Sequence, residues 1–178
     1  MILRILLRAV LCCAFAAAAQ AQDLTPAHFF GTFQGSGFAE DKDSIYFGTT
    51  VRDLDVIIAP AGGGFSVTWT TIIRAGGDPA NPKVRRKTQT ATFSPTARPG
   101  VYRGAPSGDP LSGNPYVWAR IEDSTMTVFI LTIGSSGAYN MQSYARTLSG
   151  YGMDLVFSRI RDGEPVRTAR AKLTKAAN

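Results

Sequence analysis

The chain has two cysteines, adjacent at Cys12 and Cys13, and a single histidine, His28. Beyond residue 13 there is therefore no thiol to close a disulfide, bind a soft metal or act as a nucleophile. One imidazole without a second histidine or a nearby cysteine does not make a zinc site, and no metal is expected. The sequence also lacks a G-x-S-x-G nucleophile elbow and any glycine-rich phosphate loop opening a helix. The Gly62–Gly64 and Gly134–Gly137 stretches lie between strand-like segments and read as turns. Acidic residues are outnumbered, 13 Asp and Glu against 19 Lys and Arg. These absences exclude most familiar catalytic machinery, imply no cofactor, and favour a binding protein over an enzyme.

Long apolar runs are confined to the start of the chain. Arg4 and Arg8 precede an alanine-rich segment that ends in Ala19-Gln20-Ala21, the pattern of a secretory signal peptide cleaved after residue 21. Leu11 stands where a lipoprotein signal wants a small residue, so Cys12 and Cys13 are expected to leave with the peptide. The mature protein, residues 22–178, is then a periplasmic or secreted chain without cysteine. It is long enough for one domain to bury its own core. Nucleic acid is not an expected partner in that compartment, whereas its remaining excess of positive charge suits an anionic envelope lipid or protein.

Past the signal no amphipathic helical period is found, and alternating segments recur instead. Leu54, Val56 and Ile58 alternate with polar positions, as do Phe65, Val67, Trp69, Thr71 and Ile73, and Ala59-Pro-Ala-Gly-Gly-Gly64 between them predicts a hairpin. Further strands are expected over 83–94, 116–122, 125–133, 138–148, 152–161 and 165–174. Asp162-Gly163 is a strong local hairpin signal. The stretches 75–82 and 103–115, rich in Gly, Pro, Asp and Asn, read as rim loops. Eight to ten sequential antiparallel strands point to an all-β, up-and-down barrel, with a β-sandwich as the competing architecture. A membrane barrel fits less well, because Lys83, Arg85 and Lys87 share a strand face.

The first strand carries Gly31, Phe33, Gly35 and Gly37 on one face and Phe30, Thr32, Gln34, Ser36 and Phe38 on the other. One face is nearly bare, and the sequence leaves open whether it looks into the barrel or away from it. The motif Gly31-Thr-Phe33-Gln-Gly35-Ser-Gly37 resembles the opening strand of the calycin superfamily of lipocalins, fatty-acid-binding proteins and nitrobindin-like barrels. That resemblance implies that Phe33 plugs the closed end of the barrel beneath a cation from the last strand, Arg167 or Arg170. Haem binding is not implied, since no histidine follows His28.

By chemistry, His28 is the first acid/base candidate, but a lone histidine near a terminus reads as a surface or packing residue. Asp53 and Asp55 share a strand face and read as a solvated surface, and Glu40, Asp41 and Asp43 lack the glycine and terminal glutamate of an EF-hand. Two basic regions stand out by density: Lys83, Arg85, Arg86 and Lys87, and a C-terminal set of Arg159, Arg161, Arg167, Arg170 and Lys172. The expected ligand-binding residues are Phe30, Phe38, Trp69, Trp118, Phe129 and Tyr144, with Arg170 for a polar end. Taken together, the sequence points to a non-enzymatic exported protein holding a small lipophilic or amphipathic ligand. An envelope interaction module with a packed barrel, and a barrel isomerase or cyclase using His28, Asp53 or a buried Glu122, are the alternatives.

Overall fold

The computed structural model describes residues 24–41, 50–74, 78 and 81–177; the expected signal peptide lies outside these residues, as does most of the 75–82 loop. The chain forms ten strands: β1 (Gly31–Asp41), β2 (Thr50–Ala61), β3 (Gly64–Arg74), β4 (Val84–Pro95), β5 (Val101–Ala105), β6 (Tyr116–Glu122), β7 (Thr125–Ile133), β8 (Tyr139–Ser149), β9 (Gly152–Arg161) and β10 (Glu164–Lys175). Each pairs antiparallel with its sequence neighbours, and β1 pairs with β10, closing a single up-and-down barrel. A sandwich is thereby ruled out. Pairing β1 with β10 removes the two open edges a flat meander would carry, and β5 meets β4 over Thr92–Pro95 alone.

Turn chemistry sets the hairpins. Gly62 and Gly63 have φ of 48° and 77°, and Asp162 and Gly163 have φ of 49° and 87°. Two consecutive positive φ values match the right-handed twist of the strands they join. Asp162 Oδ1 also accepts the Tyr139 N–H at 2.8 Å, tying that turn to β8.

β5 corrects the expected rim loop, because Val101–Ala105 is a strand and the loop begins only after it. Five residues containing Gly104 show no alternation of their own. Pairing with β4 and β6 creates the strand, and Gly104 is required there because a Cβ would lie 2.6 Å from Val117 Cγ1.

The barrel is packed at one end. The base is where the chain enters β1 and leaves β10. A 3-10 turn, Pro26–Phe29, precedes β1 and inserts Phe29, which has no exposed surface. Phe29 joins Phe33, Ile58, Phe65, Phe93, Met153 and Leu173 in a continuous apolar core. Phe65 and Phe93 stack with ring centroids 4.9 Å apart, and Tyr102 meets Phe65 edge-on at 5.0 Å. Burying aromatic side chains of this size stabilises the fold by about 1.5–3 kcal/mol each.

The cation over Phe33 is Lys175. Its Nζ lies 5.8 Å from the ring centroid, and the two residues are register partners across β1 and β10. Neither Arg167 nor Arg170 takes this place, because both enter β10 near its other end, where they pair with Asp41 and Phe38.

Candidate functional site

The bare face of β1 looks into the barrel: Phe33, Gly37 and Ala39 are buried while Gln34, Ser36 and Phe38 are exposed. Gly37 lines a cavity of about 320 Å³, near the lower limit for small-molecule sites. Its walls come from β1–β4 and β8–β10, at the ends of those strands opposite the packed base. Leu54, Val56, Trp69, Leu155 and Phe157 supply apolar surface, and Gln89, Gln142 and Tyr144 supply neutral polar groups.

The floor carries a charge. Arg146 has no exposed surface. Its strand neighbours across β7 and β9 are Met126 and Leu155. The guanidinium carbon lies 5.8 Å from the Trp69 ring centroid and 5.6 Å from that of Tyr144, within the range of cation–π attraction. Nη1 donates to the Tyr144 carbonyl at 3.3 Å, while Nε and Nη2, both buried, have no hydrogen-bond partner. Burial pulls the Arg146 pKa down to about 10, which still leaves it a cation at neutral pH.

Tyr144 connects floor and mouth. Its ring packs against Trp69 at 5.3 Å and Phe157 at 4.8 Å, and its hydroxyl donates to Gln142 Oε1 at 3.0 Å. Burial pushes its pKa up, opposed by the positive charges of Arg146, Arg159 and Arg167. Arg159 and Arg167 also line the cavity, as do Arg52 and Lys87. No Asp or Glu lines it among the described residues.

The residues expected from sequence separate into four places. Trp69 and Tyr144 line the cavity together. Phe30 is half-buried at the base and packs on the core. Phe38 and Arg170 border the cavity through the strand wall, but as register partners between β1 and β10 they turn their side chains to the outer face, where Phe38 is 61% exposed. Trp118 and Phe129 also face outward, stacked on each other at 4.9 Å with Tyr116 tilted against Trp118. Their strands send Val117, Ala119, Ile121, Met126 and Val128 inward instead. Short side chains from β6 fill that part of the interior, and it has no room for an indole.

The acid/base candidates lie outside the cavity. His28 Nδ1 accepts the Thr25 N–H at 3.2 Å, capping the base turn. Asp53 pairs with Arg74 at 2.7 Å on the outer wall. Glu122, expected to be buried if catalytic, is exposed and paired with Arg120.

The basic regions divide by strand parity. In the C-terminal set Arg159 and Arg167 turn inward, whereas Arg161, Arg170 and Lys172 are exposed. From the first cluster Lys87 reaches the cavity wall. Arg146 belonged to neither dense region, although it stands in phase with Tyr144 and Leu148 on its strand, and a charge in phase with the buried positions was the available signal.

No protein-family model matches the chain, and no curated protein matches its sequence.

Proposed function

We propose that this is an exported, non-enzymatic binding protein that holds a small amphipathic anion inside its barrel. The apolar body would lie against Trp69, Leu54, Leu155 and Phe157, and the acidic group would descend to Arg146. The observation that carries this reading is the fully buried guanidinium with two unpartnered nitrogens at the cavity floor. A buried cation without a counter-charge costs several kcal/mol, and a carboxylate accepting from both free nitrogens would offset much of that in one contact. The glycine-rich opening strand and the closed meander are compatible with a calycin-like barrel. Fold alone does not assign the ligand, and the cavity's chemistry is what favours binding over a solidly packed interaction module.

The test uses saturated carboxylates from octanoate to dodecanoate, with the corresponding alcohols as uncharged controls. Trp118→Phe leaves Trp69 as the sole tryptophan, so its fluorescence reports the cavity. Saturable binding of a carboxylate, at least about tenfold weaker for the alcohol of the same length and lost in Arg146→Leu, is the expected result. Equal binding of acid and alcohol, or carboxylate binding that survives Arg146→Leu, would reject the assignment.

A further inference from the structure

The barrel wall is not paired to the same height all the way round. β4 spans Val84–Pro95, yet its ladder with β5 stops at Thr92. After Ala105 the chain turns away: the Ser107 hydroxyl accepts the Val117 N–H at 3.0 Å and the Gly108 N–H donates to the Pro115 carbonyl at 2.8 Å. That segment folds onto the start of β6 instead of continuing along β4. Residues 84–91 are therefore held by β3 on one side and, among the described residues, by no strand on the other. The open edge is about 27 Å long.

The backbone groups on this edge follow from the phase of the ladder. The Thr96 N–H donates to the Val101 carbonyl at 3.2 Å, so even-numbered positions of β4 turn their N–H and C=O toward β5 and odd-numbered ones toward β3. Beyond the last rung, Arg86, Thr88 and Thr90 present theirs with no backbone partner among the described residues. Burial marks the same opening. β3 alternates buried and half-buried side chains along most of its length, whereas Val84, Arg85, Arg86, Lys87 and Thr88 are all exposed.

The edge is also positively charged. Lys83, Arg85, Arg86 and Lys87 form no ion pair among the described residues. Asp53, in the outer row of Ile72 and Arg86, is engaged by Arg74. A second copy of this chain laid edge to edge would set these cations against one another, which disfavours pairing. A lipid headgroup can meet the charge but cannot occupy alternating N–H and C=O groups along a strand. An extended acidic peptide satisfies both features at once.

We propose that the open edge of β4 is a strand-addition site for an extended acidic segment of another protein. The incoming backbone pairs with Arg86, Thr88 and Thr90, and its acidic side chains stand opposite Arg85, Arg86 and Lys87. Main-chain hydrogen bonds supply affinity in this mode of recognition and the facing side chains supply selectivity. The site lies outside the cavity, and its occupation does not depend on what the cavity holds.

The experiment measures fluorescence anisotropy of a blocked, fluorescein-labelled ten-residue peptide with three central glutamates flanked by valine and threonine. Saturable binding is expected, at least about tenfold weaker for the same peptide with glutamine in place of glutamate. N-methylation of the alternate amides that would face β4 keeps the charge and removes the ladder donors, and it should weaken binding by at least about tenfold. Arg86→Glu should weaken binding by a similar factor. Thr88→Pro should abolish it, because proline fits a strand edge whose N–H faces solvent but leaves no donor there. Circular dichroism and the urea midpoint establish that each variant is folded, and the N-methylated peptide tests the proposal on the wild-type protein. Equal binding of the N-methylated peptide reduces the site to ionic attraction and overturns strand addition. Failure of the acidic peptide to bind overturns it in favour of charges that only guard the edge. Tighter binding of phosphatidylglycerol vesicles than of the peptide, lost in Arg86→Glu, overturns it in favour of a lipid surface. A concentration-dependent dimer abolished by Thr88→Pro overturns it in favour of a second copy.

Discussion

A guanidinium with no exposed surface and, among the described residues, no acid lining its cavity is costly to bury. Arg146 makes one hydrogen bond, to the Tyr144 carbonyl, and stacks near two rings, which offsets only part of its lost hydration. Replacing buried ionic groups with apolar side chains of similar volume typically stabilises a protein by about 1–4 kcal/mol. Arg146→Leu should therefore raise the unfolding temperature of the ligand-free protein by about 5 °C, as differential scanning calorimetry would measure, while abolishing binding. A lowered unfolding temperature would mean that Arg146 holds the barrel together. The sequence displayed this residue only weakly: density draws attention to charges that neighbour other charges, and those are mostly solvated. Arg146 was visible by phase alone, between Tyr144 and Leu148.

At the level of elements, β1 shows how a short glycine motif serves closure and cavity together. A Cβ on Gly35 would collide with the Lys172 carbonyl oxygen, and one on Gly37 with the Arg170 carbonyl oxygen and the Ala171 Cβ. Backbone atoms cannot rotate aside, so the two glycines let β10 come close enough to close the barrel. Gly37→Ala should cost about 1–3 kcal/mol, read from urea denaturation, and it should speed unfolding; a neutral effect would show that the β1–β10 seam can relax. The motif's role as an opening strand was legible because it is local. Its partner was not, since pairing between β1 and β10 joins opposite ends of the described chain. Other elements divide the same way. The strands 116–122, 125–133 and 152–161 fall where alternation places them, because each carries its own period, and β5 escaped because its pairing comes from its neighbours. Size misled the reading of β6 and β7: Trp118 and Phe129 are the largest apolar side chains there, yet the crowded interior accepts Val117, Ala119 and Val128.

Across the whole molecule, the barrel separates a packed core from a cavity. Its base is a solid aromatic core closed by Phe29, and its other half is a cup floored by one cation. Phe29→Ala should lower unfolding free energy by about 3–5 kcal/mol, measured in urea, without changing the affinity of the molecules that remain folded, because Phe29 does not line the cavity.

Ligand should act in the opposite sense, from the other end. A molecule that binds only the folded barrel stabilises it by about 2.7 kcal/mol at one hundred times its dissociation constant. For a protein of this size each kcal/mol raises the unfolding temperature by about 2–4 °C. A saturating carboxylate should accordingly raise the wild-type midpoint by about 5–11 °C and leave that of Arg146→Leu where it stands without ligand. In Phe29→Ala the upward shift should persist from a lower starting point, because core loss and ligand binding act at separated sites and such contributions add. A shift that vanished in Phe29→Ala at saturating ligand would show that the packed base and the cup are coupled, with the core holding the floor arginine in its binding position.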